Sequence, residues 1–179
     1  MNIWRLFATM ERYDTLKYVL EKEKVSVEGL ARVLNLSKGF ASKFLRILEE
    51  EGLLERDGRK YIVKNTAVTR TLKTFINTAT LYEILMKNKR DWMESLGVYG
   101  SFASGKNKED SDIDIWVKVS KHPGEKEVAE VERELSDELR KRVHILVLTP
   151  ERLERLKRDD FIFYCELKHS VVIWGEGIE

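Results

Sequence analysis

Along the first 65 residues the apolar positions repeat with the period of helices and then shift to the short runs of a hairpin. In IWRLFATMERYDTLKYVLEKE, Leu6, Met10, Tyr13, Leu16, Val19 and Leu20 fall on one helical face, which predicts a single amphipathic helix. Ser26 stands before VEGLARVL, where Val27, Leu30, Ala31 and Leu34 keep helical spacing and the serine hydroxyl can accept a first-turn N–H. Asn35, Leu36 and Ser37 interrupt that pattern. Ser37 then caps a third helix, KGFASKFLRILEEEG, with Phe40, Phe44, Leu45 and Leu48 inward and Gly52 at its end. A short helix, a tight turn and a longer helix make a helix-turn-helix. In LLERDGRKYIVK, Asp57-Gly58 between two strand-like runs predicts a two-residue hairpin turn, forming a wing.

The stretch from Thr66 to Ser95 contains neither Gly nor Pro and carries two periodicities, one through Val68, Leu72, Phe75 and Ile76, the other through Leu81, Ile84, Leu85 and Trp92. Two helices, or one bent one, are expected there, with Trp92 and Met93 in the core. The second half opens on LGVYGSFASGKNKEDSDIDIWVKV, which reads as a strand, a helical turn closing at Gly105, a polar loop and a second strand. RVHILVLT is a later strand. The end of the chain predicts a helix opened by Thr149-Pro150, another around Phe161 to Lys168, and a closing strand VVIWG.

These patterns divide the 179 residues into a winged helix-turn-helix (1–65), a helical connector (66–95) and a mixed α and β domain (96–179). Net charge follows the same division, at +3, +2 and −4, so the basic part is the one suited to a polyanion. The single cysteine, Cys165, cannot form an internal disulfide and has apolar neighbours, which favours a core position over a nucleophile. No apolar run is long enough for a membrane and no signal peptide is recognisable, so a cytoplasmic protein with no membrane partner is expected. His122 and His169 read as surface residues.

The third helix exposes Ser37, Lys38, Ser42, Lys43 and Arg46, with no acid on it before Glu49, and the wing adds Arg56, Arg59 and Lys60. Such a surface can set a helix in the major groove and a wing on the backbone of double-stranded DNA. The alternative is a set of solvated faces on a domain that joins proteins. The run SVEGLARVLNLSKGFASKFLRILEEEGLLERDGRKYIV resembles the winged helix-turn-helix of archaeal and bacterial transcriptional regulators.

In the second half, Gly100 lets the backbone come close to a triphosphate, and the Ser101 hydroxyl with the N–H groups after it can hold phosphate oxygens. Asp112 and Asp114 alternate with Ile113 and Ile115 on a strand, so the two carboxylates share one side while the isoleucines enter the core. Two hard oxygen ligands facing substrate phosphates suit a divalent cation. Either feature alone could be a plain turn or a pair of solvated acids. Together, the Gly-Ser turn and the Ser111-Asp112-Ile113-Asp114 strand resemble the signature of the DNA polymerase beta-like nucleotidyltransferase superfamily, in particular its minimal archaeal and bacterial members, over most of residues 95–177.

The resemblance implies a mixed sheet backed by helices. It also implies Gly100, Ser101, Ser104, Gly105 and Ser111 around a nucleoside triphosphate, ATP being the expected one, with Mg²⁺ or Mn²⁺ held by Asp112 and Asp114. A third family carboxylate falls on the strand RVHILVLT, where the matching residue is His144, a candidate base but a poor Mg²⁺ ligand. Glu138 and Glu109 are candidates for the missing acid, and Ser104 stands where relatives carry a basic residue. Three functions follow as expectations: a DNA-binding transcriptional regulator that also binds a nucleotide, an active transferase that moves a nucleoside monophosphate onto a protein or small-molecule hydroxyl, and a partner-binding protein without turnover. A homodimer is expected with the first, because such regulators read paired half-sites.

Overall fold

The computed structural model describes residues 2–179, which form two compact units, one ending at Lys73 and the other spanning Thr74–Glu179. The first unit begins with two helices, α1 (Trp4–Phe7) and α2 (Met10–Glu21), where the periodicity predicts one. Thr9 causes the break: its backbone is extended and its hydroxyl accepts the Arg12 N–H, so the chain restarts a helix. Met10, first in the new helix, is consequently 72% exposed rather than buried. After β1 (Lys24–Ser26) come α3 (Val27–Val33), α4 (Lys38–Glu50), β2 (Leu54–Asp57) and β3 (Lys60–Val63).

Ser26 and Ser37 cap α3 and α4 by accepting the N–H groups of Gly29 and Phe40, each at 3.1 Å. Between the two helices Asn35 takes a left-handed backbone (φ 51°), which asparagine tolerates better than most residues, and the Leu36 N–H returns to the Ala31 carbonyl at 2.8 Å. The strands form an antiparallel sheet in the order β1-β3-β2. Its register pairs Asp57 with Lys60, so the hairpin turns on Gly58-Arg59 and not on Asp57-Gly58. Of these two only Gly58 has positive φ (59°), the sign pattern of a type II′ turn with glycine in its first central position. Leu16, Val19, Leu30, Phe44, Leu45, Leu48 and Leu53 are buried together as the unit's core.

A single helix, α5 (Ala67–Lys87), follows, with its first seven residues in the first unit and the rest in the second. Trp92 lies beyond it, half-buried against the second unit's core, where Met93 is buried. Leu72, Ile76, Leu81 and Leu85 are buried as expected, whereas Val68 and Phe75, seven residues apart and therefore on one side, are exposed.

The second unit contains β4 (Ser95–Tyr99), α6 (Gly100–Ala103), β5 (Ile113–Lys118), α7 (Glu125–Leu139), β6 (Val143–Leu148), α8 (Pro150–Asp159), α9 (Phe161–Lys168) and β7 (Val171–Trp174). The sheet runs β6-β5-β4-β7, parallel between β5 and β6 and antiparallel elsewhere, so it is mixed. Strand alternation sorts its two faces. Ile113, Ile115 and Val117 join Leu81 and Leu85 of α5 and Val128, Val131 and Leu135 of α7 in one core. On the opposite face Trp116 is fully buried with Tyr164 and Leu167 of α9, and its indole N–H donates to the Ser170 hydroxyl at 2.7 Å. Gly97 faces Trp116 across the sheet; a Cβ there would sit 2.4 Å from the indole ring, so only glycine admits the tryptophan. The fold is thus α and β mixed, a winged helix-turn-helix followed by a mixed sheet backed by helices. Among the described residues no helix is long and apolar enough to cross a membrane.

Candidate functional site

Residues Tyr99, Asp114 and His144 lie in one row across β4, β5 and β6, since the register pairs Tyr99 with Asp114 and Asp114 with His144. Asp112 stands one residue before β5, on the same side as Asp114 by alternation, with its Oδ2 3.5 Å from His144 Nε2. Both partners of that contact are about half exposed, so it is a solvent-accessible pair. Asp114 is more enclosed. Burial and then the neighbouring Asp112 charge push its carboxyl above the ordinary aspartate range, against the opposing pull of His144. Tyr99 is pushed up to about 12 by burial and by the charge of Asp114. Two acids held side by side at some electrostatic cost are what a cation would relieve.

Gly100 follows Tyr99 with φ 67°, and a Cβ on it would come within 2.7 Å of Asp114 Oδ2. The backbone therefore lies directly against the carboxylate, which any larger residue would displace. Ser101 is half-buried, and its carbonyl accepts the N–H groups of Lys106 at 2.9 Å and Asn107 at 3.1 Å, closing the turn. Its hydroxyl has no partner within the protein among the described residues. A cleft of about 440 Å³ opens here, with Gly100, Ser101, Ser104 and Lys106 on one wall and Glu166, His169 and Ser170 from the end of α9 on another. A space of this size suits a nucleotide-scale ligand.

Among the other residues singled out by sequence, Gly105 is buried with φ 65° and Ser111 accepts the Lys108 N–H at 2.8 Å, so both shape the loop and neither lines the cleft. Glu138 cannot stand in for the missing acid: it is bound by Lys87 at 2.9 Å and Asn88 at 3.0 Å, and α7 packs on the isoleucine face of the sheet. Glu109 is exposed in the loop before Asp112. The acid that the structure brings to the cleft is Glu166, whose charge also raises Asp114 and Tyr99. Nothing in its sequence spacing relates it to the aspartates. His169, expected at the surface, is exposed but forms part of the cleft wall; its Nδ1 donates to the Cys165 carbonyl at 2.7 Å, since a carbonyl can only accept.

Sequence reasoning also missed a polar clamp behind the turn. Asn77 on α5 is buried and donates to the Phe102 carbonyl and to Asn107 Oδ1, both at 2.9 Å, while Thr74 donates to the Ala103 carbonyl at 3.0 Å. These bonds fix the Gly100–Ala103 turn to the helix that precedes β4. The only sequence signal was polar residues on a helix interior, where they have few uses other than satisfying a buried backbone.

In the first unit, Ser37, Lys38, Ser42, Lys43 and Arg46 are exposed along α4, opposite the buried Ala41, Phe44, Leu45 and Leu48, and Arg56, Arg59 and Lys60 are exposed on the wing. Two exposed ion pairs lie at or beside this surface. Glu28 of α3 lies 3.7 Å from Lys38 and Asp57 of the wing 3.4 Å from Lys24, exposed pairs worth well under about 1 kcal/mol each.

Residues 81–168 match the nucleotidyltransferase domain family and residues 8–60 the MarR family. The chain thus carries a MarR-like region followed by a stretch that matches the nucleotidyltransferase domain family. No curated protein sequence matches it. Among solved structures it is similar to a toxin–antitoxin crystal structure with AMP-PNP, at 19% identity and TM-score 0.42 over 56% of this chain and 74% of that one. It is also similar to a complex of tri-AMPylated Shewanella oneidensis HEPN toxin with MNT antitoxin, at 16% identity and TM-score 0.39 over 57% and 73%. The archaeal chromatin protein TrmBL2 spans more of the chain, at 17% identity and TM-score 0.29 over 94% and 70%.

The site at the cleft depends on the clamp. Replacing Asn77 by Leu leaves two buried acceptors without their donor, an expected loss of about 2–4 kcal/mol measured by urea unfolding. Amide exchange at Ala103 to Asn107 should rise with it. Unchanged stability and exchange would show that the turn holds itself.

Proposed function

We propose that the chain is a DNA-binding transcriptional regulator whose nucleotidyltransferase domain binds a nucleoside triphosphate together with Mg²⁺ or Mn²⁺, with ATP as the expected nucleotide. The observation that carries this reading is the approach of the Gly100 backbone to the Asp114 carboxylate, with Asp112 on the same side and the Ser101 hydroxyl in an adjoining cleft. The donor set fits a hard divalent ion held partly by substrate. Among the described residues no three His, Cys, Asp or Glu side chains converge on a metal position, so two carboxylates need phosphate oxygens to complete the shell. Such an ion would neutralise charge on the phosphates, while Asp112 and Asp114 orient it and Gly100 and Ser101 receive the phosphate oxygens.

The MarR-family match and the exposed cations of α4 and the wing support the DNA half of the reading. The proposed arrangement places Ser37, Lys38, Ser42, Lys43 and Arg46 toward the major groove and Arg56, Arg59 and Lys60 on phosphates, in a homodimer reading two half-sites. Fluorescence anisotropy with genomic duplex fragments tests it, with and without ATP and Mg²⁺. A preferred fragment should bind about a thousandfold more tightly than random duplex at physiological salt, and nucleotide should change that affinity about fivefold or more. Weak binding to every fragment, indifferent to ATP, contradicts the proposal.

A second reading, transfer of a nucleoside monophosphate to a protein or small-molecule hydroxyl, is favoured by the position of His144 beside both aspartates. The acceptor oxygen would bond to the α-phosphorus as the bond to the bridging oxygen breaks; pyrophosphate leaves with the electron pair and the hydroxyl proton passes to His144. Incubation with labelled nucleoside triphosphates, Mg²⁺ or Mn²⁺ and cell lysate should label an acceptor. The Asp112→Ala, Asp114→Ala double variant should lose the label, and His144→Ala should slow it on the order of a hundredfold. Absence of label, or label indifferent to the aspartates, removes this reading.

A further inference from the structure

We infer that Lys106 supplies the phosphate-binding cation that position 104 lacks, so the cleft recognises a polyphosphate through a lysine placed two residues further along the loop. The inference rests on the nucleotide-binding reading and adds a residue to it.

Position 104 cannot serve. Ser104 Oγ donates to the Gly100 carbonyl at 2.9 Å and also lies 3.3 Å from the Ser101 carbonyl, so its hydroxyl proton is directed back into the turn. It carries no charge in any case. Lys106 lines the same cleft as Gly100 and Ser101, and its own backbone N–H donates to the Ser101 carbonyl at 2.9 Å. That bond fixes the base of the lysine to the residue whose unpartnered hydroxyl faces the cleft. The ammonium has no ion-pair or hydrogen-bond partner among the described residues. Lys141, by contrast, donates to the Glu109 carbonyl at 2.6 Å and does not line the cleft. An exposed ammonium on a flexible stem is a suitable point charge for phosphate oxygens, and it adds positive charge to a cleft that otherwise holds Glu166.

Calorimetric titration of the full chain with Mn²⁺-ATP and, separately, with Mn²⁺ and inorganic tripolyphosphate tests this, using wild type, Lys106→Met and Lys106→Arg. Lys106 is exposed, so both variants should keep the wild-type circular dichroism and unfolding curve. The expected result is binding of both probes by wild type, about tenfold or more weaker binding of both by Lys106→Met, and near-complete recovery in Lys106→Arg. Equal affinities in wild type and Lys106→Met overturn the inference and leave the nucleotide reading standing. Loss with ATP but not with tripolyphosphate also overturns it, because the lysine would then be reading the nucleoside. Absence of binding by wild type overturns both the inference and the reading beneath it.

Discussion

The second unit is organised around one steric constraint, the contact between the backbone at Gly100 and the carboxylate of Asp114. A side chain at Gly100 would meet Oδ2 at 2.7 Å, and φ of 67° excludes most residues in any case. Glycine allows a strand to end in a tight turn directly over an acid on the neighbouring strand. The contact sets Ser101 at the cleft beside Asp114, while strand alternation and the β5–β6 register put Asp112 and His144 on the same side, and burial lifts Asp114 above its usual range. An acid held in that state lowers stability where it is ionised, so the arrangement is better explained by binding than by folding.

The remainder of the unit holds this contact in place from two directions. Behind the turn, Asn77 and Thr74 bond to the carbonyls of Phe102 and Ala103. Along the sheet, Trp116 is buried against α9 on the carboxylate face, which brings Glu166 and His169 to the cleft's far wall. One face of β5 therefore serves as core at one end and as site at the other, while its alternate residues Ile113, Ile115 and Val117 anchor the opposite face. The nucleotidyltransferase match runs from Leu81 to Lys168, taking in the turn, β5 and α9 but not Thr74 or Asn77.

Much of this was legible in sequence where a signal is local. Period-2 alternation in Asp112-Ile113-Asp114-Ile115 sorted the carboxylates from the core, and Ser26, Ser37 and Thr149 marked helix starts that the structure caps with those same hydroxyls. Signals that depend on tertiary context were not legible. Thr9 looked like one more residue of an amphipathic helix, yet its hydroxyl cap splits the helix and exposes Met10. The hairpin moved by one residue because Asp57 pairs with Lys60, a register that the Asp-Gly dipeptide alone does not decide. Glu138 looked available until Lys87 and Asn88 were placed beside it, and Glu166 and Asn77 acquire their positions only through packing of α9 and α5.

The central claim is that the Gly100-Ser101 turn and the two aspartates form a single site for a divalent ion and a nucleotide. Electron paramagnetic resonance of Mn²⁺ measures it most directly, by titrating the ion into the protein with and without ATP. Bound Mn²⁺ that needs ATP in the wild type and is lost in the Asp112→Asn, Asp114→Asn double variant is the predicted result. Bound Mn²⁺-ATP that is indifferent to both aspartates would contradict it.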